Sequence, residues 1–165
     1  MTAADDASLE LIRRLRTSGQ LQHAWTTQLW QADMGLHPAA AALLAELDRC
    51  GEVRPSELAR RRMVDFSVVS RQITQLTSSG LVERRPAPED GRAALVRVSE
   101  RGAQELARWR RMHLELFRRA LGEWDEHDVR VVAERLAAVN EDLRAVLAAD
   151  EESRVATTRN QHGTE

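Results

Sequence analysis

Lysine and tyrosine are missing from this 165-residue chain, and cysteine occurs once, as Cys50. A single cysteine closes no internal disulfide. The five histidines (His23, His37, His113, His127 and His162) form no close pair, and with one cysteine they show no zinc-like spacing. No metal site or cofactor is therefore expected. The absence of tyrosine argues against a platform for stacking single-stranded bases. Long apolar runs are also lacking: the longest, from Pro38 to Ala45, ends at Glu46, far short of the roughly 20 residues that cross a bilayer. The opening segment MTAADDASLE is acidic and has no apolar core of a signal peptide, so a cytoplasmic protein without a membrane partner is expected. There is no glycine-rich phosphate loop, no G-x-S-x-G and no C-x-x-C, and the carboxylates fall mainly on the solvated faces of amphipathic helices. An enzyme is not expected.

What is present is a helical protein with an uneven charge. The formal net charge is only −2, and all 24 basic residues are arginine. Between Arg54 and Arg101 ten arginines oppose six acidic residues, whereas the flanks are acidic. A basic centre between acidic flanks suggests one face directed at a polyanion.

Apolar periodicity predicts a first helix from Leu9 to about Met34, with Ser8 as its N-cap and Gly35 as its stop. A second runs from about Pro38 to Arg49, buries Leu43, Leu44 and Leu47, and ends before Gly51. A short helix follows between Arg54 and Met63. Its Arg60, Arg61 and Arg62 read either as a phosphate grip or as a solvated helix end that suits the helix dipole. Asp65 caps the next helix, Phe66 to Ser79, which Gly80 terminates. Val69, Ile73 and Leu76 make one narrow apolar stripe. Ser67, Arg71, Thr74 and Ser78 lie opposite it, with Val68, Gln72 and Gln75 alongside. Such a helix can lie in a major groove, and with its short predecessor it makes a helix-turn-helix. Leu81 to Arg85 and Ala94 to Val98 have strand character around a turn-rich Pro86 to Ala93, which predicts a β-hairpin wing. Ser99 then caps a helix reaching about Leu121. A last helix, about Glu126 to Ala149, repeats Val132, Leu136, Val139 and Leu143. Residues 150–165 lack periodicity and read as a disordered tail.

This order of elements resembles the MarR family of transcription regulators. The resemblance rests on Ser56-Glu-Leu-Ala59, Val69-Ser-Arg71, Leu76, Gly80-Leu-Val-Glu-Arg84, Pro88-Glu-Asp-Gly-Arg92 and Ser99-Glu-Arg-Gly102. It implies a mainly α fold with a small β-hairpin wing: a winged helix-turn-helix over residues 36–102, with dimerisation helices over 8–34 and 103–149. It also implies that Ser70 and Arg71 contact DNA from the recognition helix, and that Arg92 at the wing tip enters the minor groove while Asp90 orients neighbouring arginines. Ala87 and Gly91 stand where the family often has an acidic and a basic residue, so a weaker grip by the wing, or tolerance of different groove widths, is expected. One branch of the family senses peroxide through a cysteine in the first helix. Cys50, at the end of the second, does not match and is expected to be inert.

The expected function is a homodimeric regulator, a repressor released by a small ligand, that binds a pseudo-palindromic site in double-stranded DNA. Ser67, Val68, Ser70, Arg71, Gln72, Gln75 and Arg92 are the DNA-binding candidates. Trp25, Trp30 and Trp109 are candidates for lining a pocket for a small aromatic ligand, although core packing or dimer contact is the plainer role for each. The competing reading is an accessory winged-helix dimerisation module that binds protein rather than DNA.

Overall fold

The computed structural model describes residues 2–33, 36–87 and 90–161, with side chains left out at 33, 90–93 and 151–161. Among the described residues, six helices and one hairpin follow in the order α1 (Ala3–Asp33), α2 (Pro38–Cys50), α3 (Pro55–Arg62), α4 (Phe66–Ser78), β1 (Val82–Ala87), β2 (Asp90–Val98), α5 (Glu100–Ala120) and α6 (Glu126–Gln161). The fold is the mainly helical winged helix-turn-helix that the sequence predicts. Two compact units make up the chain, Met1–Leu116 and Phe117–Glu165. No described helix is long and apolar enough to cross a membrane.

In the first unit α1 starts earlier than its periodicity suggests. The Asp5 N–H donates to Thr2 Oγ1 at 3.2 Å, and the Thr2 N–H donates to Asp5 Oδ2 at 2.7 Å. This reciprocal pair is a capping box built on aspartate. Ser8, expected as the cap, lies more than one turn inside and donates its hydroxyl to the Ala4 carbonyl. The expected stop at Gly35 lies outside the described residues.

The core gathers Leu43, Leu44 and Leu47 of α2, Leu58 and Ala59 of α3, and Val69, Ile73 and Leu76 of α4. Val53, Leu81, Val82, Val96 and Leu106 complete it. Each of α2, α3 and α4 thus contributes one face, and the hairpin contributes the inward residues of its pleat. The two strands pair antiparallel from Val82↔Val98 to Pro86↔Ala94, with an irregularity between Pro86 and Ala87. Pro86 has no N–H, and it sits on the edge strand, where that loss is tolerated. On its other side β2 exchanges two hydrogen bonds between Val96 and Val53, at 2.9 and 3.1 Å. Both strands run longer than expected: Pro86↔Ala94 and Ala87↔Asp90 extend the pairing, and residues 91–93 of β2 bulge between those two pairs.

The hairpin is joined to α4 and α5 at one tight corner. Gly80 takes φ +70 just beyond α4, and the Leu81 N–H returns to the Leu76 carbonyl at 2.8 Å. Ser99 donates its hydroxyl to the Gly80 carbonyl at 2.7 Å and accepts the Gly102 N–H at 2.9 Å, so it caps α5. A Cβ on Gly102 would stand 2.1 Å from the Leu81 carbonyl oxygen.

In the second unit the Asp128 N–H donates to Asp125 Oδ1 at 2.8 Å and opens α6. This helix continues to Gln161, through residues where the sequence reading expected an irregular tail. The missing apolar periodicity misled that reading. A helix that is already nucleated gains one backbone hydrogen bond for each residue it adds, so it can extend without an apolar stripe.

The two glycines of the corner should respond differently to alanine. Gly102→Ala forces backbone apart and is expected to destabilise the fold by about 2–4 kcal/mol. At Gly80 an added Cβ meets only the end of the Arg101 side chain, at 3.6 Å. Gly80→Ala should therefore cost only the left-handed backbone conformation, about 1–2 kcal/mol. Chemical denaturation of the two variants measures the difference.

Candidate DNA-binding surface

Helix α4 is held by one face and leaves most of the other exposed. Its N-cap Asp65 accepts the Ser67 N–H at 2.7 Å, and hydrogen bonds from the Ser67 side chain and backbone hold the Asp65 carboxyl below its ordinary range. Val69, Ile73 and Leu76 are buried. At about 100° per residue, the direction opposite that stripe falls on Arg71, with Ser67, Thr74 and Ser78 around it. Ser67, Arg71, Thr74, Gln75 and Ser78 are exposed, and Val68, Ser70 and Gln72 are half-buried. All six sequence candidates on α4 therefore remain within reach of a ligand, and Arg71 stands furthest from the core.

The wing lies against this helix. Arg84 of β1 donates from Nη2 to Thr74 Oγ1 at 3.2 Å, while the Thr74 hydroxyl donates to the Ser70 carbonyl at 2.9 Å. The sequence reading did not find this link. Thr74 was visible on the polar face, but nothing in the spacing of Thr74 and Arg84 shows that they meet. A second tie also escaped it: Arg85 pairs through two nitrogens with Glu52 in the loop before α3, and that ion pair lowers the Glu52 pKa. Of Asp90 and Arg92 only the backbone is described, at the start of β2, so the side-chain roles expected of them lie outside the described residues.

The arginine triplet of α3 is largely occupied. Arg60 and Arg61 both donate to Glu57, one turn earlier, at 2.8 Å. These bonds, Arg60 first, lower the Glu57 pKa to about 2. Met63 ends the helix in the left-handed region at φ 52, a conformation uncommon for a residue with a Cβ. Cys50 is half-buried. Its sulfur accepts from Arg61 Nη1 at 3.4 Å and lies 3.6 Å from Glu46 Oε1.

Two of the three tryptophan candidates pack against histidine rings. Trp30 meets the His37 ring edge-on, with centroids 5.0 Å apart, and Trp109 lies 3.7 Å from the His113 ring. Trp109 also packs on the core. A cavity of about 440 Å³ does lie beside α4, lined by Leu36, His37, Leu76, Leu81, Arg101 and Arg108 among others. None of Trp25, Trp30 and Trp109 lines it.

The Asp65 cap predicts an acid response confined to one end of α4. Because its folded pKa is depressed, the cap stabilises fully above about pH 4, the ordinary aspartate range. That contribution is lost as the pH falls through the lowered value. Asp65→Asn keeps a capping oxygen and should remove this acid limb, whereas Asp65→Ala should weaken α4 at every pH. Amide exchange at Ser67 and Val68 as a function of pH measures both.

Comparison with known proteins agrees with this architecture. The MarR family profile matches residues 34–93. YxaD of Bacillus subtilis (strain 168), an HTH-type transcriptional regulator, is 32% identical over 105 residues, covering 64% of this chain and 73% of YxaD. The HTH-type transcriptional repressor IacR of Pseudomonas putida is 30% identical over 100 residues, 61% of this chain and 60% of IacR. Among solved structures, a mutant MarR from E. coli complexed with operator DNA superposes with a TM-score of 0.66 at 21% identity, over 84% of this chain and 99% of that one. With the order of elements, the capped helix and the wing all in agreement, the chain belongs to the MarR family of helix-turn-helix transcription regulators and is not an enzyme.

Proposed function

We propose that this regulator is a cytoplasmic homodimeric repressor that places α4 of each protomer in the major groove of an inverted-repeat operator. The observation that carries the reading is α4 itself: a capped helix with one buried stripe, whose opposite face presents an arginine flanked by short hydroxyl and amide side chains. An arginine fork fits the O6 and N7 of guanine, and glutamine fits adenine. Ser67, Val68, Ser70, Arg71, Gln72 and Gln75 form the major-groove contact. Arg92 reaches the minor groove from the wing, with Asp90 supporting it. The operator complex of the E. coli MarR mutant supports a double-stranded DNA partner.

Dimerisation is supported by apolar surface that one protomer does not cover. Leu9, Leu11, Ile12 and Leu21 of α1 are exposed, as are Val129, Val132, Leu136, Leu143 and Val146 of α6. A two-fold axis would set the recognition helices about 34 Å apart, one turn of the duplex. Release by a small aromatic ligand follows if the ligand binds better to a dimer whose helices are wrongly spaced. The cavity beside α4 is a candidate seat, with Trp30 behind His37.

Selection from a random duplex pool tests the reading: an enriched inverted repeat is expected, with affinity falling steeply as salt rises. No enrichment at low salt would instead favour a module that binds protein. A stable folded monomer in light scattering at micromolar concentration would overturn the dimer.

Two arginines should separate by mechanism. Arg71→Ala should flatten sequence preference at one position of each half-site, with a loss of about 1–3 kcal/mol at that base pair. Arg92→Ala should weaken all sequences evenly and reduce the salt slope by about one charge per protomer. Binding to single-base operator variants measures both. Equal weakening of every variant by Arg71→Ala would reassign it to a phosphate contact.

A further inference from the structure

Two apolar side chains of α4 do not join the core, Phe66 and Val68. Phe66 is 53% exposed, but on the helix it lies about 20° from the buried Ile73, away from the outward face. Val68 is different. It is half-buried and sits three, four and seven positions before Arg71, Gln72 and Gln75, so all three are its neighbours on one flank of the helix. A valine in this polar row is not explained by helix formation, since β-branched residues are among the weaker helix formers. Nor does the core account for it.

We propose that Val68 reads the 5-methyl group of a thymine. On the major-groove edge of a duplex, that methyl is the apolar group that distinguishes one base from the others. The first turn of a recognition helix is the part that meets base edges, and Val68 is the third residue of α4. Its side chain is short and nearly fixed in one rotamer within a helix, so its methyls present a preset surface with little ordering cost. Gln72 or Gln75 beside it can satisfy the N6 and N7 of an adenine. The row Val68, Gln72, Gln75 therefore selects A·T pairs beside the guanine that Arg71 would take.

The inference rests on the proposed entry of α4 into the major groove. That reading fails separately, if Arg71→Ala and Gln72→Ala leave both the enriched sequence and its affinity unchanged. The test uses the duplex enriched from the random pool, with each thymine replaced in turn by deoxyuridine, which removes only the methyl. For the wild-type protein, one thymine per half-site should lose about fourfold in affinity on replacement, equivalent to ~0.8 kcal/mol for one buried methyl group. Val68→Ala should weaken the thymine duplex by a similar factor and bind the two duplexes equally. Circular dichroism confirms the fold of the variant, and any general weakening cancels in the fourfold comparison of two proteins on two duplexes. A methyl effect that persists in Val68→Ala would overturn the proposal, as would a wild-type protein indifferent to every thymine methyl. An empty selection would remove both the groove reading and this one.

Discussion

The hydroxyl of Ser99 stands between two backbone groups that no regular ladder serves, the Gly80 carbonyl and the Gly102 N–H. Around it the end of α4, the start of β1, the end of β2 and the start of α5 meet within a few residues. The Ser99 N–H adds a 3.0 Å bond to the Leu81 carbonyl, the same oxygen that a Cβ at position 102 would strike. Backbone can approach this closely only where one chain segment has no side chain. Ser99 is 7% exposed, so water does little to replace these bonds if the hydroxyl is lost. The angle of α4 relative to the wing follows from this corner, and so does the direction in which Arg71 points.

The rest of α4 is consistent with a helix positioned from outside itself. Three buried side chains on one line fix its rotation about its axis, because each can face the core in only one orientation. Asp65 fixes where it begins and Gly80 where it stops. The Arg84–Thr74 bond and the Arg85–Glu52 pair join the wing to the helix-turn-helix at two separate points. Both are surface interactions, individually worth little to stability, but together they limit how far the hairpin can swing. In the proposed role of α4 that rigidity matters more than strength, since a displacement of a fraction of an ångström spoils a two-point hydrogen bond to a base.

The fold was legible where apolar spacing and punctuation agree. Val69, Ile73 and Leu76 with Asp65 before and Gly80 after leave few alternatives for α4, and the Ser99–Gly102 spacing placed the start of α5 correctly. The misreadings have physical causes. Ser8 looked like a cap because it precedes the apolar positions, yet the Thr2–Asp5 pair nucleates the helix more than one turn earlier. The end of α6 carries no apolar spacing, so nothing in its sequence pattern marks the helix as continuing there. At the candidate site the exposed row of α4 could be read from the helical period. Its ties to the wing could not, because Thr74 and Arg84 meet through a chain reversal at Gly80 whose geometry no local pattern encodes.

The apolar residues of α6 recur as Val129, Val132, Leu136, Val139, Leu143 and Val146, alternating steps of three and four over more than two heptads. That spacing keeps a narrow seam on one side of a helix, the width suited to a facing helix rather than to a globular core. Five of the six are more than 40% exposed within a single chain, so folding of the protomer leaves most of their hydrophobic free energy unrealised. In the proposed homodimer, such an open seam makes the stability of each protomer depend on a second copy. Under the proposed reading this dependence also serves recognition. An isolated protomer would meet one half-site with half the contacts, whereas a pair related by a two-fold axis meets both at once, so specificity and folding draw on the same apolar surface.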